Sequence, residues 1–376
     1  MKKMLCGLLC SAVLAGQAFA LPAMGELSAK SAALYDSSGQ CLYEFNADEP
    51  LQPASVTKIM TMLLAMEAVD SGAASLDDMV TGSAYAASMG GTQIWLKEGE
   101  QLSLNDMMKA IAVGSANDCA VAVAEHLAGT EAAFVERMNE RAKELGCQNT
   151  TFINANGLDA DGKKTLTSAR DLALISVELL KHPKILDYTT IWMDSIRDGA
   201  FELANTNKML KSYKGLIGLK TGYISEAGFC ISAVAQRDGM TLIATVMGAP
   251  TKEQRTADAS ALLNYGFANF TQYSPDLSGL PSEMPVILGK SQTVPLVADG
   301  AGSVVIEKEK AGALQTKVDL PESIQAPVEK GQKLGEVQVL NGDTVLLTVP
   351  ITAAEAVDAM GLGDLYRSFM RIVLMK

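Results

Sequence analysis

The order of elements along the chain predicts an antiparallel sheet flanked by helices, with a helical subdomain inserted into it, and a small C-terminal all-β sandwich domain. Strand-like runs at residues 32–45 and again at 218–247 enclose a long stretch of helical periodicity, so one discontinuous α/β unit carries the helices. The composition shifts near Ser274-Pro275 to short β-rich runs punctuated by Gly and Pro. A chain of 376 residues has length for two or three such units, each with its own core.

The elements follow in order. Ala32–Asp36 and Cys41–Phe45 flank Ser37-Ser38-Gly39-Gln40 and read as a β-hairpin. After Pro53, Val56, Ile59, Met60, Leu63, Met66 and Val69 recur at helical spacing, which predicts a helix over Ser55–Val69. Residues 102–146 read as a helical bundle ending at Leu145-Gly146, and a further helix covers Ser168–Leu180 before His182-Pro183. Gly218–Ile224, Phe229–Ala235 and Thr241–Met247 are strands, the last two joined by a tight turn at Gln236–Gly239, and a helix over Glu253–Phe267 closes the unit. Runs such as Ser303–Ile306 and Val345–Val349 belong to the expected sandwich. At the C-terminus Leu362, Leu365, Phe369, Ile372 and Val373 share one helical face, while Asp364, Arg367, Ser368 and Arg371 lie opposite. That segment is too short and charged to span a bilayer, and its pattern suits an interfacial helix on a membrane surface.

Residues 1–20 read as a secretion signal: Lys2-Lys3, an apolar stretch over Met4–Ala15, and Ala18-Phe19-Ala20 before the cleavage point. The expected division is therefore 1–20 leader, 21–272 α/β domain, 276–352 β-sandwich and 353–376 amphipathic anchor, on an exported protein. The net charge of −12 becomes −14 once Lys2 and Lys3 leave, which argues against nucleic acid as partner. Loss of Cys6 and Cys10 leaves Cys41, Cys119, Cys147 and Cys230, too sparse for a disulfide scaffold, and no CxxC pair supports a metal site. Neither HExxH nor GxSxG occurs, and the two histidines, His126 and His182, read as a helix-surface residue and a helix-end cap. No metal or cofactor is expected. Gly157–Lys164 imitates a phosphate loop, but Lys164 replaces the required Ser/Thr and Asp159 and Asp161 would repel phosphate, so it reads as a turn.

The chemistry rests on three fragments. Ser55-Val56-Thr57-Lys58 places a hydroxyl and an amine three residues apart, on one face of a helix start. Ser115-Ala116-Asn117 opens a second helical run, and Lys220-Thr221-Gly222 lies on a strand. A serine needs a base, and a lysine with a pKa near ~10.4 must lose about three units to serve as one at neutral pH. Desolvation and a second cation supply that loss; Lys220 is the candidate, and it also suits a substrate carboxylate.

Ser-x-x-Lys, Ser-x-Asn and Lys-Thr-Gly in this order resemble the penicillin-recognising serine enzymes. Gly99–Asp106, Phe134–Asn139, Asn156-Gly157-Leu158 and Pro327–Gln332 extend the resemblance to the serine-type D-alanyl-D-alanine carboxypeptidases among the low-molecular-mass penicillin-binding proteins, over residues 26–376. It implies a transpeptidase/β-lactamase-like α/β domain acting on peptidoglycan stem pentapeptides and acylated by β-lactams. Ser55 would be the nucleophile, Lys58 its base and Ser115 a proton relay; Asn117 would hold the peptide, and Lys220 and Thr221 the terminal carboxylate. Backbone N–H groups of Ser55 and of Tyr223, after Gly222, would form the oxyanion hole. Some relatives have histidine where this chain has Tyr223. Asp171 aligns with a structural feature of the family and carries little catalytic weight. A class A β-lactamase lacks support because no glutamate lies between Glu144 and Glu178. An endopeptidase or transpeptidase would use the same residues, and a non-catalytic wall-binding protein would not need the intact set.

Overall fold

The structure, a computed structural model, describes residues 21, 23–160, 162–298 and 302–374; the expected leader and Asp161 lie outside them. The chain enters with the hairpin β1 (Ser31–Asp36) and β2 (Cys41–Phe45). A 3₁₀ turn, Ala54–Thr57, leads into α1 (Lys58–Asp70). Next come β3 (Met79–Thr81), the short α2 (Ala84–Ala87) and β4 (Gln101–Ser103), which pairs with β3. The helical bundle holds α3 (Leu104–Lys109), a π turn at Ala110–Gly114, α4 (Asn117–Ala128) and α5 (Glu131–Glu144).

The return to the sheet begins with α6 (Ala169–Leu180), capped by the Ser168 hydroxyl. The short α7 (Leu186–Thr189), the hairpin β5 (Met193–Ile196) and β6 (Phe201–Ala204), and α8 (Met209–Ser212) follow. Then come β7 (Leu216–Ile224), β8 (Gly228–Arg237), β9 (Met240–Ala249) and α9 (Lys252–Asn269). Among the described residues five strands form the central antiparallel sheet, in the order β2-β1-β9-β8-β7. Its N-terminal hairpin and C-terminal meander meet at β1 and β9, as the enclosing pattern in the sequence implies. One face packs on α1 and α6; the other lies under α9, where Leu262 and Leu263 are buried. Burial on both faces explains why β8 and β9 are near-continuous apolar runs rather than alternating ones.

Beyond α9, β10 (Phe270–Tyr273) is followed by β11 (Glu283–Ile287), β12 (Thr293–Ala298), β13 (Val304–Glu307) and β14 (Leu314–Asp319). The strands β15 (Ile324–Gln325), β16 (Lys333–Asn341) and β17 (Thr344–Ala353) complete the all-β part. Six of these form one sheet, in the order β14-β16-β17-β12-β11-β15. The run Ser303–Ile306, expected inside the sandwich, instead contributes β13 to a two-stranded ribbon with β10, because β10 continues straight out of α9 and offers it a free edge. The chain ends in α10 (Leu362–Val373), whose Leu362, Leu365, Phe369 and Val373 are exposed. Among the described residues no helix is long and apolar enough to cross a membrane.

Two local expectations change. Ser55 does not open an α-helix: Ala54 has φ +49°, and Ser55 sits in the 3₁₀ turn one step ahead of α1. In a 3₁₀ turn residues i and i+3 eclipse, so the serine and lysine align more closely than on an α-helix. His182 does not cap carbonyls with its ring; Nδ1 lies 2.5 Å from Asp70 Oδ2, tying the C-terminal ends of α6 and α1 together. His126 stays on the helix surface, 3.7 Å from Asp78. Cys119, Cys147 and Cys230 are buried thiols and Cys41 is exposed.

Candidate active site

The site forms where the 3₁₀ turn, the α4 N-terminus and the edge strand β7 converge. Lys58 is fully buried, 0% exposed, which a charged ammonium tolerates poorly. Its Nζ lies 2.6 Å from Asn117 Oδ1, 2.8 Å from the Asn156 carbonyl and 3.1 Å from Ser55 Oγ. A neutral amine has two N–H bonds and one lone pair. Donation to the two carbonyl oxygens uses both N–H bonds and leaves the lone pair facing the Ser55 hydroxyl. Burial, and next the charge of Lys220, hold Lys58 well below the ordinary lysine pKa. Two of the three sequence fragments thus meet directly at one nitrogen.

Ser115 occupies the left-handed region, φ 64°, at the joint between the π turn and α4. That kink places Asn117 as the first residue of α4, with Oδ1 on Lys58 and Nδ2 donating to the Gly90 carbonyl at 2.7 Å.

Lys220 is 1% exposed on β7. Its Nζ donates to the Thr221 carbonyl at 3.0 Å, while Thr221 Oγ1 donates to Thr206 Oγ1 at 2.9 Å. Burial, with the Arg255 charge behind it, brings the Lys220 pKa down to about 7. Gly222 lets β7 run against the nucleophile turn: a Cβ there would stand 2.5 Å from the Pro53 carbonyl oxygen and 3.0 Å from Val56 N. Tyr223, 54% exposed, directs its ring outward onto Phe229, with centroids 4.3 Å apart, so its side chain leaves the cleft while its backbone remains.

Sequence reasoning did not single out Arg255. It is buried on α9, and its Nε has no hydrogen-bond partner among the described residues. A buried guanidinium with a spare donor beside a buried lysine is a site prepared for an anion. No motif announces it, because it reaches the site only through tertiary packing. Asn156 entered only through the family resemblance, although its carbonyl binds Lys58. Gly157, at φ +85°, packs so closely that a Cβ would lie 2.0 Å from the Ala54 oxygen. Asp171 is structural: Oδ2 accepts from Asn149 N and Thr150 Oγ1, each at 2.7 Å. In the phosphate-loop lookalike, Ala160 and Lys163 pair in an isolated bridge. Among the described residues no group of His, Cys, Asp and Glu is placed to hold a metal.

Residues 17–251 match the family model described as D-alanyl-D-alanine carboxypeptidase, and 272–359 the model described as penicillin-binding protein 5, C-terminal domain. The chain is 40% identical over 339 residues to D-alanyl-D-alanine carboxypeptidase DacF of Bacillus subtilis, covering 89% of this chain and 87% of that protein. Penicillin-binding protein 5 from Haemophilus influenzae superposes with a TM-score of 0.72 at 30% identity, over 89% of this chain and 98% of that one. Penicillin-binding protein D2 from Listeria monocytogenes, solved in its ampicillin-bound form, gives 0.59 at 38% identity, over 64% of this chain and 98% of its own.

Proposed function

The chain belongs to the D-alanyl-D-alanine carboxypeptidase family, and we propose that it carries out this hydrolysis through an acyl-enzyme on Ser55. It is a serine-type carboxypeptidase that removes the last D-alanine from peptidoglycan stem pentapeptides and is acylated by β-lactams. The observation that carries the residue assignment is the Lys58 amine, with two carbonyls on its N–H bonds and the Ser55 hydroxyl on its remaining side.

Ser55 Oγ attacks the carbonyl carbon between the two terminal D-alanines as its proton passes to Lys58 Nζ. The developing oxyanion rests on the N–H groups of Ser55 and Tyr223. When the tetrahedral intermediate collapses, the C–N bond breaks and the leaving amine takes a proton from Lys58 through Ser115. Water then attacks the Ser55 ester and passes a proton to Lys58; the acyl C–Oγ bond breaks, Ser55 Oγ takes that proton back from Lys58, and the shortened peptide leaves. Asn117 holds Lys58 and the peptide backbone; Lys220 and Thr221, with Arg255 behind them, bind the terminal carboxylate. No step calls for a metal.

The protein acts outside the cytoplasm, on the wall. Residues 1–20 direct export, 21–272 form the catalytic domain and 276–352 a β domain that spaces it from the membrane. Residues 353–376 form the anchor: α10 lays its exposed Leu362, Leu365, Phe369 and Val373 into the outer face of the cytoplasmic membrane.

The test is D-alanine release from a pentapeptide ending in D-Ala-D-Ala, with wild type beside Ser55→Ala. Stoichiometric release lost in the variant is expected. No release from wild type, with penicillin still acylating Ser55, would overturn hydrolysis in favour of cross-link cleavage or transpeptidation.

A further inference from the structure

Next to the α4 N-terminus the loop 88–98 holds an unusual residue. Trp95 is 67% exposed and has φ +53°, a conformation that bulky L-residues avoid and that persists only where the surroundings impose it. Here they do so from both sides. Asp118, directly after Asn117, accepts from Ile94 N at 3.0 Å and Leu96 N at 2.9 Å through one carboxylate oxygen. Arg197, at the turn between β5 and β6, donates to the Ile94 carbonyl at 2.8 Å. Its guanidinium also grips Glu100 at 2.6 and 3.1 Å. Phe201 meets the indole edge-on at 6.1 Å, and the Arg197 guanidinium lies 5.4 Å from the Phe201 ring centre. The most open large aromatic ring among the described residues is thus carried by a loop held on both sides of it.

That loop is continuous with the catalytic cleft. Asn117, whose side chain holds Lys58, donates its backbone N–H to the Thr92 carbonyl at 2.8 Å and its Nδ2 to Gly90. Consecutive residues of one helix therefore hold the nucleophile's base and the Trp95 loop. We infer that Trp95 is a binding platform for a sugar ring of the glycan to which the stem peptide is attached. This rests on the carboxypeptidase reading above. An indole this open presents a face rather than a hole, whereas an apolar peptide side chain would call for a concave pocket. Phe201, which meets the indole, also carries the Arg197–Glu100 ion pair, so a charged pair lies in the same cluster. A pyranose matches this cluster, with an apolar C–H face for the ring and hydroxyls for the charged pair. The rigid presentation keeps the ordering cost of binding low.

The test compares wild type, Trp95→Ala and Trp95→Phe on a disaccharide-pentapeptide and on the same pentapeptide without sugar. Trp95→Ala should lose about tenfold in kcat/KM on the sugar-bearing substrate, mainly through KM. Its kinetics on the sugar-free peptide and its acylation by penicillin should stay within about twofold, and Trp95→Phe should recover most of the loss. Equal loss on both substrates would assign Trp95 to the peptide or to loop stability and overturn the proposal, as would no loss on either. Should wild type release D-alanine from neither substrate, the carboxypeptidase reading fails instead. Binding of the sugar-bearing peptide then decides: weakening by Trp95→Ala sustains the platform, and unchanged binding removes it.

Discussion

Replacing Gly157 by alanine tests the site through its tightest contact. At φ +85° an added Cβ would stand 2.0 Å from the Ala54 oxygen and 2.6 Å from both the Ala54 carbonyl carbon and Thr57 Oγ1. Ordinary contact begins at 3.4 Å, so two backbone segments must separate by more than an ångström. One carries Ser55; the other carries the Asn156 carbonyl, 2.8 Å from Lys58 Nζ. Left-handed backbone costs about 1 kcal/mol and overpacking about 1–3 more, a destabilisation of about 2–4 kcal/mol. A displacement of about 1 Å between base and nucleophile lowers acylation about 10²-fold. The assay is the second-order rate of acylation by a fluorescent penicillin, with a denaturation curve on the same sample. Gly162→Ala is the control: φ is +74° but nothing lies within 4 Å, so it should lose stability slightly and acylate normally. A Gly157→Ala protein acylating within about twofold of wild type would refute the reasoning.

Three further outcomes follow from the same structure. In the pH dependence of kcat/KM, activity falls on the acid side as Lys58 gains a proton and on the alkaline side as Lys220 loses its own near about 7; a profile rising steadily to pH 10 would contradict this. The Lys220 charge is among the causes that lower Lys58, after burial. Asp171→Ala should cost about 1–3 kcal/mol, measured by denaturant unfolding, and leave kcat and its pH profile unchanged. Removing residues 361–376 should abolish sedimentation with vesicles rich in anionic lipid while D-alanine release from a soluble pentapeptide continues at the wild-type rate.

Much of this was legible in the sequence because it is local or periodic. The hairpin at residues 31–45, the helix capped by Ser168 and the tight turn expected over Gln236–Gly239, which closes at Asp238-Gly239, depend on neighbours in the chain. The three fragments with Ser55, Asn117 and Lys220 were visible as spacings; that the first two meet at Lys58 Nζ is a fact of packing. What stayed hidden is long-range. Arg255 reaches the site from α9, and Asn156 contributes a backbone carbonyl, a group every residue has. The 3₁₀ turn at Ser55 was read as α-helix because apolar spacing cannot separate the two over a single turn. The ribbon of β10 with β13 depends on which strand edge α9 leaves free, information that no short run contains.

The central claim is that Ser55, served by a neutral Lys58, forms the acyl-enzyme. Its most direct measurement is the site of penicillin attachment, by mass mapping of digested wild type, Ser55→Ala and Lys58→Ala. One adduct per chain on the peptide containing Ser55, absent in Ser55→Ala and formed far more slowly in Lys58→Ala, is the predicted result. An adduct on any other residue, or acylation of Lys58→Ala at the wild-type rate, would contradict it.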